Sequence, residues 1–195
     1  MSPILGIYAS QVSGKLWPAS SYESIATVTV GSGGSGTVSF TSIPQTYSHL
    51  QIRILGRTNR TSFASDYIKL VANSDTGSNY ANHYLAGTAG GAYSGGTSSN
   101  DSAYIQRFAG NSIASNIFGV AVVDILDYSN TNKFKTIRNL GGIDQNSTSG
   151  VGEVGLYSSL WMNTSAISSL TLSSGGGTLI SQNSSFALYG IKVAA

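Results

Sequence analysis

The chain has no cysteine among its 195 residues. Disulfides and thiolate metal sites are therefore excluded, and burial alone, helped by assembly, must hold the fold. Charge is almost as scarce. Ten Lys and Arg and eight Asp and Glu make up 9% of the chain, with a net charge of +2, where an ordinary domain has about a quarter charged residues. No Lys/Arg run exists, so the composition argues against a nucleic-acid partner. The densest cations, Arg53, Arg57 and Arg60 and then Lys133, Lys135 and Arg138, are spaced as solvent-facing strand positions. Eight carboxylates supply a two-acid glycosidase site poorly. Neither His49 nor His83 has a G-x-S-x-G elbow to serve. No catalytic residue, cofactor site or metal site is expected. No apolar run is long and unbroken enough to cross a membrane as a helix, and no window of twelve or more residues has helical periodicity.

Abundant instead are Ser and Thr, at about a quarter of the chain, and 24 glycines, within a sequence that is 41% hydrophobic. Hydroxyls, amides and backbone must cover the surface. Period-two alternation dominates. It predicts strands in 25–30, 37–40, 49–57, 67–73, 79–87, 103–110, 118–128, 134–142, 152–162, 169–173 and 184–193. In 49–57, Leu50, Ile52 and Ile54 face one way, and Gln51, Arg53, Leu55 and Arg57 the other. The 118–128 segment is the most hydrophobic and is expected to be a buried central strand. Short strands with turn residues at roughly ten-residue intervals argue an all-β antiparallel sandwich, jelly-roll-like.

Three motifs read as turns or loops. Gly31, Gly33 and Gly36 match G-x-G-x-x-G, but β-rich sequence follows and position 51 is Gln, so GSGGSG at 31–36 is read as a hairpin turn. Asn73, Asp75, Gly77 and Asn79 alternate like a calcium loop but lack a closing acid, which leaves an Asn/Asp/Gly turn. Residues 86–102 are low in complexity and carry five glycines. They are expected to form a long loop, mobile alone and ordered on contact, with Tyr93 as its anchor. Tyr80, Tyr84, Tyr93 and Tyr104 flank it, as a sugar-stacking surface would require.

The first residues, MSPILGIYASQVSGKLWPAS, are apolar and broken by Pro3, Gly6, Gly14 and Pro18. They lack a signal peptide's basic start and unbroken core. Residues 1–21 are read as an arm that docks through Ile4, Leu5, Ile7, Tyr8, Leu16 and Trp17, on its own body or on a neighbour, and 22–195 as the sandwich. The plainer alternative makes the segment a first strand and loop of that domain.

Taken in order, PILGIYASQ (3–11), SIATVTVGSGG (24–34), FTSIPQTYSHLQIR (40–53), NSDTGSNYANHYL (73–85), FGVAVVDILDYSNTNKFKT (118–136), LWMNTSAISSLTL (160–172) and SSFALYGIK (184–192) resemble a family of small all-β virion proteins of tailed bacteriophages. The resemblance covers nearly the whole chain and carries no catalytic motif. It implies a non-enzymatic structural protein of the virion, assembled in the host cytoplasm. Such a protein is expected to form a homo-oligomer, trimer or dimer, and to meet other virion proteins such as the major capsid protein. A capsid decoration or cement role is favoured. The alternative is a tail or fibre module that binds host glycans.

Overall fold

A computed structural model of the chain describes residues 21–145 and 152–192. The arm residues Ile4, Leu5, Ile7, Tyr8, Leu16 and Trp17 lie outside them. The described residues form twelve strands: β1 (Tyr22–Thr29), β2 (Thr37–Phe40), β3 (His49–Gly56), β4 (Ser65–Ala72), β5 (Tyr80–Thr88), β6 (Gly91–Asn100), β7 (Ala103–Ala109), β8 (Gly119–Leu126), β9 (Lys135–Ile143), β10 (Glu153–Trp161), β11 (Leu170–Ser174) and β12 (Ser185–Ile191). The described residues contain no helix.

The strands form two antiparallel sheets, ordered β1-β12-β3-β8-β9-β10-β5-β6 and β2-β11-β4-β7. Their first four members pair as β1/β12, β3/β8, β2/β11 and β4/β7, linked through β12/β3 and β11/β4. This is the wrap of an eight-stranded jelly roll. Two hairpins, β5–β6 and β9–β10, are added to it and widen one sheet to eight strands. The alternation read from the sequence places the core. Leu50, Ile52 and Ile54 of β3, Ile68 and Leu70 of β4, Ile105 of β7 and Val123 and Ile125 of β8 all point between the sheets and are buried. Each such side chain contributes about 1.5–3 kcal/mol by leaving water.

Several sequence expectations are corrected. GSGGSG does not close a hairpin: β1 and β2 belong to different sheets, so 31–36 is the corner between them. Gly33 and Gly34 have φ of 87° and 78°, which suits glycine. The presumed loop at 86–102 is a β-hairpin, because Ala86 to Thr88 finish β5 and Gly91–Asn100 form β6. Strand β8 is central but buried on one face only; Val120, Val122 and Leu126 are exposed. Two cations placed in solvent are instead buried. The Arg57 guanidinium donates to the carbonyls of Ala114 (2.7 Å), Ile117 (3.0 Å) and Ile113 (2.8 Å), which pins the β7–β8 connection. Lys135 Nζ donates to the carbonyls of Lys133 (2.9 Å), Thr164 (3.1 Å) and Asn130. Burial lowers the pKa of both groups.

The turn reading of 73–79 agrees with the structure. Asp75 Oδ1 accepts from the Gly77 amide (3.0 Å), and both its oxygens accept from Asn79. Its Oδ2 also takes Trp161 Nε1–H at 2.8 Å. These hydrogen bonds, Trp161 foremost, hold the carboxyl below its ordinary pKa.

Where the added hairpins meet the small sheet, its edge strand β7 finds an unusual partner. Asn82 of β5 accepts from the Tyr104 amide (2.8 Å) and donates to the Ser102 carbonyl (3.1 Å). Asn139 of β9 accepts from the Gln106 amide (3.0 Å) and donates to the Tyr104 carbonyl (3.2 Å). Both asparagines are buried. Two side-chain amides thus stand in for the strand that β7 lacks, and they satisfy its inward edge.

Candidate functional site

Among the described residues, no layer lies over the outer face of the eight-stranded sheet. Its composition follows from strands that are apolar on both sides, above all GVAVVDIL of β8. Pairing registers align the outward residues in rungs across the sheet. One rung runs Arg53, Val122, Leu140, Leu156, Leu85, Ser94 from β3 to β6. The next runs Leu55, Val120, Gly142, Val154, Gly87, Ala92. Seven large aliphatic side chains therefore lie together. Leu140 is 58% exposed and Val154 67%. Neighbouring strands are about 4.8 Å apart, so the patch is continuous. A depression of about 430 Å³ opens in it beside Leu55, Val120, Val122 and Leu140. Scattered surface aliphatics need no explanation, but a contiguous group on one face marks a contact surface.

A polar rung borders the patch. Arg53 Nε donates to Gln51 Oε1 (3.1 Å), Gln51 Nε2 to Asp124 Oδ1 (2.9 Å), and Arg138 Nη2 to Asp124 Oδ2 (3.1 Å). The Arg53 guanidinium also lies over the Tyr189 ring, 5.1 Å from its centroid. This gives the apolar centre and polar rim of an interface.

No protein-family model matches the chain, and no curated protein matches it. The site must be read from its own chemistry.

Tyr93 sits on β6 and faces the inner side of the sheet, not a loop tip. It is half-buried. Its hydroxyl donates to Glu153 Oε2, while Tyr157 Oη (2.9 Å) and Gln106 Nε2 (3.3 Å) donate to Glu153 Oε1. Arg107 Nε lies 3.4 Å from the same carboxylate. Tyr84 packs edge-on to Tyr93 at 5.9 Å and stacks on Tyr157 at 5.5 Å. Tyr84 fits because β6 offers Gly95 opposite it, where a Cβ would meet the Tyr84 hydroxyl at 2.5 Å. Tyr93 is thus tied into a carboxylate–tyrosine cluster. Sequence reasoning missed Glu153, Gln106 and Arg107 as its partners, since they lie on other strands and no spacing links them. Tyr80 is fully buried against Trp161. Tyr104 leans on Tyr67, with centroids 4.7 Å apart, and donates to Asn100 Oδ1 at 3.1 Å.

The two histidines stay apart. His49 Nδ1 accepts from the Asp127 amide at 2.9 Å and caps the end of β8. His83 lies on the outer face beside Gly96.

The buried tyrosines predict an alkaline limit. Burial first, and Glu153 second, push Tyr93 up to about 12; burial likewise pushes Tyr80 up to about 12, and Tyr157 is raised too. A folded-state pKa above the unfolded value of about 10 means stability fully present below pH 10. That stability is lost as pH rises through about 12. Urea midpoints should therefore be level up to about pH 10 and fall steeply above it, in step with tyrosinate absorbance. Midpoints that stay level while the tyrosines ionise would contradict the burial described.

Proposed function

We propose that the chain is a non-enzymatic structural protein of a tailed-phage virion, a decoration or cement protein that clamps the head by burying the outer face of its large sheet against a particle subunit. The carrying observation is that face: seven large aliphatics, in register across five strands, on a protein with 9% charged residues. An enzyme needs a cleft with convergent polar groups. This face is broad and shallow, suited to a flat protein partner. The resemblance of the seven segments to phage virion proteins supports the same reading. The jelly-roll wrap is compatible with it, and is also used by lectins and cupins, so fold alone does not choose. Many copies, each burying one apolar face across a joint, stabilise a lattice by mass action.

A tail or fibre module that binds host glycans is the second reading. The Tyr67–Tyr104 pair favours it, being half-exposed on the small sheet beside Lys69 and Asp101, which lie 3.5 Å apart. Aromatic faces flanked by polar groups suit sugar rings.

A reconstruction of the particle separates the two. One copy per lattice subunit, seated through Leu140 and Leu156, supports decoration. A handful of copies at the tail, with Tyr67 and Tyr104 facing outward, supports the glycan module. Absence from any particle overturns both.

A further inference from the structure

The two sheets have four edges, and three are guarded. Strand β1 is broken by a bulge between Ser24 and Ala26, and its Glu23 is paired with Lys192. Strand β2 is only four residues long. Strand β7 is satisfied by Asn82 and Asn139. Bulges, brevity and covered backbone are the usual protections against unwanted pairing. The fourth edge has only a bulge at one end, where Tyr80 pairs with Asn100 but Asn82 with Thr97, so 91–97 is left regular. Strand β6, GAYSGGTSSN, runs ten residues with no charge and no proline, and among the described residues it pairs with β5 alone.

Its free groups can be assigned. The Met162 amide bonds the Asn79 carbonyl at 2.8 Å. Alternation along the antiparallel ladder then directs Ala81, His83, Leu85 and Gly87 of β5 toward β10, and Tyr80, Asn82, Tyr84 and Ala86 toward β6. Tyr84 faces Gly95 and Ala86 faces Tyr93. Gly95 and Tyr93 therefore spend their backbone groups on β5, while Ala92, Ser94 and Gly96 present theirs to the open edge.

We propose that β6 is a dimerisation strand, pairing antiparallel with β6 of a second copy about a two-fold axis centred on Gly95. Three observations select a second copy as occupant. The strand is uncharged, so it meets itself without like-charge repulsion. The register centred on Gly95 sets Ser94 against Gly96 of the second copy and Gly95 against its own counterpart. Gly95 thus meets itself as a non-hydrogen-bonded pair, where antiparallel strands approach closest, at about 4.5 Å between Cα atoms. Finally, the two-fold of an antiparallel pair stands perpendicular to the sheet. The apolar patches of the two copies then lie on the same side of one continuous sheet, offset by two residues, with the rung that ends at Leu85 and Ser94 meeting Gly96 and His83 of the second copy. The dimer would carry two such patches on one side, and two linked patches bind a lattice far more tightly than one. The dimer itself does not depend on the virion reading.

The test is sedimentation of the full chain at micromolar concentration, with two variants at one position. Ser94→Pro removes an N–H that the monomer does not use, at an edge where proline is tolerated. Ser94→Lys keeps that N–H and brings two cations together across the axis. The expected result is a wild-type dimer, a monomeric Ser94→Pro and a weakened Ser94→Lys dimer, with unchanged circular dichroism in whichever variants fold. Leu140→Lys, on the sheet face, should still dimerise. A monomeric wild type overturns the proposal. So does an oligomer that a folded Ser94→Lys variant leaves intact, or one that Leu140→Lys abolishes.

Discussion

Asn139→Leu is expected to destabilise the protein by about 2–6 kcal/mol. Leucine matches asparagine in size, so no cavity opens. What is lost is one acceptor and one donor. The Gln106 amide (3.0 Å) and the Tyr104 carbonyl (3.2 Å) of β7 then remain buried without a partner. Each such orphan costs about 1–3 kcal/mol. Against a domain stability of about 5–15 kcal/mol this is a large fraction. Asn82→Leu should act similarly, and it also strands Ser159 Oγ, which donates to Asn82 Oδ1 at 2.6 Å. Urea unfolding with an unchanged m-value would measure both. A loss below about 1 kcal/mol for Asn139→Leu would mean that β7 does not depend on side-chain amides. The same reasoning explains why β7 does not recruit another strand in the way proposed for β6.

Leu140→Lys combined with Leu156→Lys should abolish attachment while leaving the fold intact. The two residues are direct cross-strand neighbours at the middle of the apolar patch, and both are exposed. In the free protein each lysine points into water, so stability should change by no more than about 0.5 kcal/mol. In a complex, two central contacts of about 1.5–2 kcal/mol each would disappear and two charges would be buried. Binding should weaken by about 100-fold or more. The assay is rebinding of purified protein to particles stripped of it. Ser158, which pairs with Arg138 on the polar rung, provides the control: Ser158→Lys should bind nearly as wild type. Should the double variant rebind as well as wild type, the apolar face is not the clamp, and the Tyr67–Tyr104 surface becomes the better candidate. Because the substitutions lie away from β6, the dimer should survive them, which keeps attachment and self-association separable.

The alternation of Leu50, Ile52 and Ile54 with Gln51, Arg53 and Leu55 determines by itself that β3 is a strand with one core face. The same holds for most of the twelve strands, because period-two burial is a local property of pleated backbone. Composition determines as locally that there are no disulfides and that the surface is built from hydroxyls. Strand β6 was illegible for the same reason: its glycines and serines bury nothing, so no hydrophobic period marks it. It is a strand because β5 supplies a ladder and because Gly95 and Gly96 make room for Tyr84 and His83.

Which sheet a strand joins is not a local property. The corner at 31–36 looks like a hairpin turn until β12 and β11 claim β1 and β2. Arg57 and Lys135 look solvated until loops 113–117 and 130–133 fold carbonyls around them. Tyr93 looks like a loop anchor until β10 brings Glu153 beneath it. The apolar outer face was visible only as the unusual hydrophobicity of 118–128, which alone reads as a strand buried on both sides. Only the tertiary structure decided that none of the described residues covers that face. A second sheet of four strands can cover at most half of one with eight, and it covers the inner side.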